Sequence, residues 1–187
     1  MAIINKKIRP FTATAYFNGK FINISNEDLQ GKWSVIFFYP ADFSFVCPTE
    51  LLDLSENYST FKTLGVEIYS VSTDTHFTHK AWHDSSFTVS KIKFPMIGDP
   101  SGNISRSFNV FVAETGLAER STFVIDTECK IKLAEYNAIG IGRNSKELIR
   151  KIQAAQYITN HPNEVCPANW TDGSKTFKQN IDFVGKF

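Results

Sequence analysis

The sequence predicts an α/β fold with a central mixed β-sheet flanked by helices. Between Gly19 and Gly98, apolar runs of strand type alternate with segments of helical periodicity. Two further strands joined by a tight turn follow, and then a last helix, an order typical of a sheet covered on both faces. With 187 residues and 42% hydrophobic content, the chain is long enough to bury one sizeable core.

The elements of the first half follow from their periodicity. After an N-terminal arm, Gly19–Ile24 is typical of a hairpin strand, and Trp33–Tyr39 is a near-continuous apolar run of buried-strand type. A helix is predicted over Pro48–Thr63, because apolar residues recur there at helical spacing. The remaining elements of this half are predicted to be strand Val66–Ser72, helix His76–Ser90 and strand Phe94–Ile97.

The second half ends in a segment of different composition. Its predicted elements are a short helix over Ile104–Phe108, strands over Thr122–Ile125 and Lys130–Tyr136, and a helix over Ser145–Ile158. From His161 onward, prolines and glycines break the periodicity, while apolar side chains persist at Trp170, Phe177, Ile181, Phe183 and Val184. We therefore expect a domain over residues 1–160 and a C-terminal arm over 161–187 that packs on another surface, such as a second subunit.

Charge and composition argue against several classes of function. A net charge of +1 and a pI near 7.7 provide no basic excess for nucleic acid and no polybasic segment for a membrane surface. The N-terminus lacks a hydrophobic run of signal-peptide length, so we expect a cytoplasmic protein. In a reducing compartment, three widely spaced cysteines favour catalysis or redox cycling over a structural disulfide framework.

Cys47 lies where an apolar strand gives way to a helix. Pro48 is compatible with the first helical turn, because its missing N–H would have no intrahelical partner there. Free N–H groups and the positive end of the helix dipole favour a thiolate, and thus a reactive sulfur. A buried structural cysteine is the alternative. A thioredoxin-type dithiol is excluded at this segment, because the position three residues on is Glu50.

Glu50 makes a nearby cation necessary if Cys47 is reactive. It shares a helix face with Cys47, and a bare carboxylate so close disfavours the thiolate. Arg120, just before a predicted strand, and Arg143, in a glycine-containing loop, are the candidate cations. Solvated surface arginines are the alternative interpretation of both.

Four spaced motifs, in order along almost the whole chain, resemble the typical two-cysteine peroxiredoxins. Pro40, Ser44 and Cys47 match the active-site pattern of that family, and Glu164–Ala168 matches its resolving-cysteine motif. Two further segments, Ser72–Trp82 and Gly116–Phe123, resemble more narrowly the bacterial peroxiredoxins of the alkyl hydroperoxide reductase C type.

The resemblance implies a thioredoxin-like fold and thiol-dependent reduction of hydroperoxides. In that interpretation Cys47 is the peroxidatic nucleophile, and Cys166 condenses with its sulfenic acid to form a disulfide. Pro40 shields the pocket, the Ser44 hydroxyl orients the peroxide oxygens, and Arg120 stabilises the thiolate and the developing negative charge. Serine stands where relatives more often carry threonine, so we expect the hydroxyl to be slightly less restricted.

Supporting residues and partners follow from the same resemblance. Glu50 would tie the active-site arginines together, with Arg143 as its second partner. No metal, flavin or other cofactor is implied. A flavoprotein disulfide reductase using NADH or NADPH, or thioredoxin, would recycle the enzyme. A homodimer is expected, joined by a disulfide between two chains and often assembled as a pentamer of dimers; no nucleic acid or membrane partner is expected.

Other residues suggest competing interpretations. His76, His79 and His83 have the spacing of metal ligands on one helix face, but surface or interface packing is favoured because no cysteine pair accompanies them. The Gly140–Gly142 segment lacks the third glycine of a dinucleotide fingerprint and is interpreted as a loop. Cys129 stands in a hairpin turn where relatives tend to carry glycine, and is interpreted as an incidental exposed thiol.

Two rival functions are compatible with parts of the same pattern. A general thiol–disulfide oxidoreductase would reduce disulfides without consuming peroxide, and a ring-forming holdase chaperone would act without Cys47. Relatives that peroxide inactivates easily carry a Gly-Gly-Leu-Gly insertion and a C-terminal Tyr-Phe, neither of which is found in this chain. We therefore expect resistance to overoxidation; Phe183 and Phe187 are the aromatic residues near the terminus that could pack over the active-site helix.

Overall fold

A seven-stranded mixed sheet forms the centre of the fold. The computed structural model describes residues 3–181 and 184–185; Phe183 and Phe187 lie outside the described residues. The strands are β1 (Thr12–Phe17), β2 (Lys20–Ser25), β3 (Trp33–Phe38), β4 (Val66–Ser72), β5 (Met96–Gly98), β6 (Phe111–Val112), β7 (Leu117–Ala118), β8 (Arg120–Ile125), β9 (Ile131–Asn137), β10 (Glu164–Val165) and β11 (Phe177–Lys178). The helices are α1 (Cys47–Glu56), α2 (Tyr58–Thr63), α3 (His76–Ser85), α4 (Asn103–Ser107) and α5 (Ser145–Asn160).

The strand order of this sheet is β2-β1-β5-β4-β3-β8-β9. Strand β4 pairs in parallel with β3 and β5, as expected for strands connected through helices, and the other pairs are antiparallel. Two small antiparallel pairs, β6 with β7 and β10 with β11, complete the strands of the described residues. The prediction of a mixed sheet flanked by helices is confirmed.

The prediction of an N-terminal arm before the first strand is wrong for Thr12–Phe17, which forms β1. A turn at Asn18 and Gly19, with φ of 48° and 76°, connects β1 to β2. Positive φ at both central residues is the geometry of a tight hairpin turn, and Asn-Gly is a favoured pair for it. Strand β1 also pairs with β5, so it lies inside the sheet and not at its edge.

One predicted helix is divided in the structure, and another is shorter. The helix predicted over Pro48–Thr63 is two helices, α1 and α2, which meet at Asn57. The Asn57 amide donates to the carbonyl oxygen of Asp53 at 2.9 Å and to Ser145 Oγ at 2.9 Å, so its side chain competes with the helical backbone. Helix α3 ends at Ser85 rather than Ser90, because Ser86 adopts an extended conformation.

Aromatic side chains fill the core beside β3 and β8. Phe38, Phe108 and Phe123 contact one another with ring centroids 4.8–5.8 Å apart, and each is almost completely buried. Such rings bury large apolar areas and pack in tilted or edge-on geometries. They pack on the sheet next to the end of β3, where the candidate site begins.

The chain forms two compact units, Met1–Ser145 and Lys146–Phe187. In the second unit, Trp170 is buried; its carbonyl accepts from Arg150 Nη1 at 2.8 Å, and its Nε1 donates to the Ser174 carbonyl at 3.2 Å. The breaker-rich segment after α5 is therefore anchored to α5 through Trp170. None of the helices among the described residues is both long and apolar enough to cross a bilayer.

Candidate active site

The candidate site forms where β3 ends and α1 begins. Cys47 is the first residue of α1, and the residue is 1% exposed. In the pairing of β3 with β8, Phe38 lies opposite Ser121. Arg120 comes one residue before Ser121, so this register brings it beside the end of β3 that leads to Cys47.

Arg120 contacts Cys47 directly. Its Nη1 donates to Cys47 Sγ at 3.6 Å and also to a carboxylate oxygen of Glu50. Its Nε and Nη2 donate to the carbonyl oxygen of Ile139 at 3.1 and 2.8 Å. Arg120 is 3% exposed, so it is a fixed, buried cation and not a solvated surface residue.

Glu50 is held by a second arginine. From Arg143, the backbone N–H and Nε donate to Glu50 Oε1 at 2.8 and 2.9 Å, and Nη2 donates to Oε2 at 3.0 Å. The Arg143 guanidinium also lies over the Phe37 ring, 3.3 Å from its centroid, and bonds to the Ser121 carbonyl and to Thr122 Oγ1. The segment from 138 to 144 that carries it is a loop, as predicted.

The charges around Cys47 leave a net positive environment. Two guanidinium cations and one carboxylate carry one net positive charge, which a thiolate would balance. Burial lowers the pKa of the Arg143 guanidinium, while its bonds to Glu50 oppose that shift. Val46, which precedes α1, makes no side-chain hydrogen bond to the helix N-terminus, so that end remains available to an anion.

Pro40 and Ser44 lie in the loop between β3 and α1. The Ser44 hydroxyl donates to the Ala41 carbonyl at 2.8 Å, which leaves its oxygen lone pairs free to accept a hydrogen bond. Pro40 is buried and, with Arg120, lines a cavity of about 430 Å³ that continues along Ala118. Cys47 and Ser44 are not among the residues that line this cavity.

The other two cysteines lie elsewhere. Cys166 follows β10 in the second compact unit. Burial raises the pKa of its thiol, and the negative charge of Glu164 raises it to a smaller extent. Cys129 is half-buried in the turn between β8 and β9, with φ of 61°, and burial raises the pKa of its thiol as well. All three cysteines are free thiols in this structure.

The histidine prediction is wrong for His79, which belongs to the core and not to the surface. His79 is 0% exposed, and its Nδ1 lies 2.7 Å from Asp42 Oδ2. His83 instead contacts the Tyr16 hydroxyl at 3.2 Å. No group of three or more potential metal ligands of the His, Cys, Asp or Glu type occurs within residues 3–181 and 184–185.

Sequence reasoning missed Asp42 and Tyr39 beside the site. The Tyr39 hydroxyl donates to Asp42 Oδ1 at 2.7 Å, and both residues are buried. One signal was present: Asp42 is the only charged residue between Trp33 and Val46, an apolar stretch in which a carboxylate needs partners. Its partner in α3 could not be identified from spacing.

Comparison with known sequences assigns the chain to a family. Residues 4–134 match the AhpC/TSA family, and residues 154–182 match the C-terminal domain of 1-Cys peroxiredoxin. The alkyl hydroperoxide reductase C proteins of Bacillus subtilis (strain 168) and Escherichia coli (strain K12) are 59% and 55% identical to the chain, each aligned over 100% of both chains.

Solved structures agree with that assignment. The crystal structure of Enterococcus faecalis AhpC has a TM-score of 0.87 and 50% identity, covering 89% of this chain and 100% of that one. The reduced 2-Cys peroxiredoxin of Plasmodium vivax has a TM-score of 0.93 and 29% identity, covering 97% and 96%. The chain therefore belongs to the AhpC/TSA family and is a peroxiredoxin, an enzyme of the thiol-dependent peroxidase class.

Proposed function

We propose that this protein reduces hydrogen peroxide and organic hydroperoxides through a sulfenic acid on Cys47 and a disulfide with Cys166. The observation that carries the proposal is the contact of 3.6 Å between Arg120 Nη1 and Cys47 Sγ at an uncapped helix N-terminus. Full-length relatives named alkyl hydroperoxide reductase C support the substrate class.

The first step is an in-line displacement at the peroxide. The Cys47 thiolate attacks the hydroxyl oxygen of the hydroperoxide, a sulfur–oxygen bond forms, and the oxygen–oxygen bond breaks. Sulfur loses two electrons and becomes a sulfenic acid, while the leaving alkoxide or hydroxide takes a proton from solvent and departs as alcohol or water. Arg120 stabilises both the thiolate and the charge that develops on the leaving oxygen.

The surrounding residues orient the substrate. Ser44 donates its own proton to the Ala41 carbonyl, so its oxygen accepts from the hydroperoxide O–H. Pro40, buried beside Arg120, keeps water away from the reacting sulfur. Glu50 and Arg143 act on Arg120 rather than on the substrate, because their bonds fix where its guanidinium lies.

The second step consumes the sulfenic acid. The Cys166 sulfur attacks the Cys47 sulfur, the sulfur–oxygen bond breaks as a disulfide forms, and the sulfenic hydroxyl leaves as water with the proton of the Cys166 thiol. A dithiol reductant, either a flavoprotein disulfide reductase fed by NADH or NADPH or thioredoxin, then restores both thiols. The disulfide joins two chains of a homodimer. The expected larger assembly is a pentamer of dimers, and the expected location is the cytoplasm.

A peroxide-consumption assay tests this function. With dithiothreitol as the reductant, the wild-type protein should consume hydrogen peroxide and cumene hydroperoxide catalytically, whereas Cys47→Ser should consume neither. Without reductant, Cys166→Ser should complete one turnover and retain sulfenic acid. Cys129→Ser, the matched control, should behave as wild type. Disulfide reduction without peroxide consumption would instead indicate a general oxidoreductase, and client binding that persists in Cys47→Ser would indicate a holdase.

A further inference from the structure

A buried polar cluster holds the loop that leads to Cys47. We define the loop clamp as Tyr39, Asp42 and His79. Asp42 Oδ1 accepts from the Tyr39 hydroxyl at 2.7 Å, and Asp42 Oδ2 lies 2.7 Å from His79 Nδ1. The Asp42 backbone N–H in turn donates to Asp74 Oδ2 at 2.9 Å. The clamp therefore ties the loop to the end of β3, to α3 and to the segment that follows β4.

The protonation pattern of the clamp follows from its contacts. A carboxylate can only accept, so His79 Nδ1 carries the proton that bonds to Asp42. The other ring nitrogen, Nε2, is buried and has no hydrogen-bond partner among the described residues. Burial raises the pKa of Asp42, and the His79 bond opposes that shift. Without the His79 donor, the Asp42 carboxylate would be held only by Tyr39 in a buried site.

The loop itself is strained. Phe43, directly after Asp42, has φ of 54°, the left-handed region that bulky residues rarely adopt. The residue is 58% exposed and its ring lies 5.9 Å from the Trp82 ring, so little burial holds it in place. Strain of this kind persists only where surrounding contacts impose it. The hydrogen bonds of Asp42, the residue before Phe43, are among the contacts that hold this conformation, together with the bond from Ser44 to Ala41.

We propose that His79, acting through Asp42, is a positioning residue that keeps the β3–α1 loop closed around the peroxide site. This inference rests on the peroxidase function proposed above. Ser44 and Cys47 both follow Asp42 in the chain, so a change at the clamp reaches both of them. With the loop closed, Cys47 meets the hydroperoxide in a fixed geometry; with the loop open, Cys47 is released toward Cys166.

The same clamp would set how easily the enzyme is overoxidised. While the loop stays closed, a second hydroperoxide can react with the sulfenic acid: a second sulfur–oxygen bond forms, the oxygen–oxygen bond breaks, and alcohol or water leaves. Sulfur then loses two more electrons and becomes sulfinic acid. Opening of the loop competes with this step by forming the disulfide. A weaker clamp should therefore slow the first reaction and also protect against overoxidation.

Two substitutions at one position separate positioning from general stability. In His79→Leu the donor to Asp42 is lost, whereas in His79→Asn the amide nitrogen stands where Nδ1 stood and can still donate. His83→Leu, one turn further along α3, is the matched control, because His83 contacts Tyr16 and not the loop. Thermal unfolding of the reduced proteins shows whether each variant is folded.

The measurements are the second-order rate constant of Cys47 with hydrogen peroxide by stopped-flow, and the ratio of sulfinic acid to disulfide by mass spectrometry. We expect His79→Leu to lower the rate constant by about tenfold, as for loss of a buried hydrogen bond to a charged group, and to lower the sulfinic fraction. His79→Asn should restore most of both, and His83→Leu should match wild type.

Each other outcome has a defined meaning. If folded His79→Leu matches wild type in rate and product ratio, or if folded His79→Asn is as slow as His79→Leu, the proposal is wrong. If His79→Leu does not fold, Tyr39→Phe decides: it removes the other donor to Asp42 and should move both quantities in the same direction. If the wild-type protein itself consumes no peroxide, the proposed function is wrong, and the clamp proposal, which rests on it, is wrong as well.

Discussion

At the scale of single residues, the chemistry of Cys47 depends on how Glu50 is neutralised. A carboxylate on the same helix face would oppose a thiolate, but Glu50 is bonded to Arg120 and Arg143, both with almost fully buried guanidinium groups. Because Arg120 also contacts Cys47 Sγ, the carboxylate fixes the cation that the thiolate needs. Charge-assisted bonds of this kind are short and well oriented.

Replacing Arg120 should therefore reduce catalysis. In Arg120→Ala, the peroxidase rate should fall by at least about tenfold, as for loss of one oriented charge. Arg106→Ala is the control, since Arg106 stacks on Phe111. An unchanged peroxidase rate in Arg120→Ala would remove this arginine from the site.

Loss of a neighbouring charge should make Cys166 more reactive, whereas loss of Arg120 should make Cys47 less reactive. Burial raises the pKa of its thiol, and the Glu164 carboxylate raises it further, so less thiolate is present at any pH below that pKa. Glu164→Gln removes the negative charge, lowers the pKa and should speed alkylation at neutral pH. Gln can still accept from the Tyr157 hydroxyl, which donates to Glu164 at 2.7 Å.

The rate is measured in a background of Cys47→Ser and Cys129→Ser, so that only Cys166 reacts. Asp172→Asn, an exposed carboxylate of the same unit, is the control and should leave the rate unchanged. A slower reaction in Glu164→Gln would show that this carboxylate does not act on Cys166 through its charge.

Contacts that depend on the path of a loop could not be predicted from the sequence. The need for a cation near Cys47 follows from Glu50 three positions away, so elementary electrostatics and a family resemblance both led to Arg120 and Arg143. The pairing of Asp42 with His79 follows from neither. It joins two residues far apart in sequence, and the lack of a cysteine pair beside the histidines of α3 favoured surface or interface packing instead.

At the scale of elements, strong hydrophobic periodicity was sufficient to predict the buried strands. A tight turn, and a side chain that competes with the helical backbone for hydrogen bonds, were not predicted. Strands β3 and β4 were predicted within one residue of their observed ends, because they are buried on both faces. Strand β1 was missed although Asn18-Gly19 marks its turn. The break at Asn57 depends on a bond to Ser145, which sequence reasoning about one helix does not contain.

The turn between β8 and β9 gives a prediction about stability. Asp126 Oδ1 accepts from the backbone N–H groups of Glu128 and Lys130 at 2.9 Å each, so the turn is closed, and Cys129 is held at φ of 61°. A β-branched residue tolerates this conformation poorly, so Cys129→Val should lower the free energy of unfolding by about 1–2 kcal/mol.

Cys129→Asn is the matched control, because asparagine adopts positive φ more readily than most residues. Urea unfolding of the reduced protein measures both variants, and the asparagine variant should stay within about 0.5 kcal/mol of wild type. Equal losses in the two variants would show that packing of the thiol, and not the backbone conformation, sets the preference at this position. Peroxidase activity should be unchanged in both.

At the scale of the whole molecule, the chain consists of two compact units with one essential cysteine proposed in each. The groups proposed to attack the peroxide belong to the first unit. The thiol proposed to complete the cycle belongs to the second unit, where it follows the short strand β10. Family resemblance, and no pattern within the sequence, predicted that these two thiols act together across two chains.

A covalent dimer should therefore appear on oxidation. One equivalent of hydrogen peroxide added to the reduced protein should produce a band of twice the chain mass on a non-reducing gel, which dithiothreitol should convert back to monomer. Cys47→Ser and Cys166→Ser should each abolish this band, since either change removes one partner of the disulfide, whereas Cys129→Ser should retain it. Mixing the two serine variants before oxidation sharpens the test, because only a bond between chains can then join the remaining Cys47 to the remaining Cys166. If the oxidised wild type loses two thiols per chain and still runs as monomer, the disulfide lies within one chain.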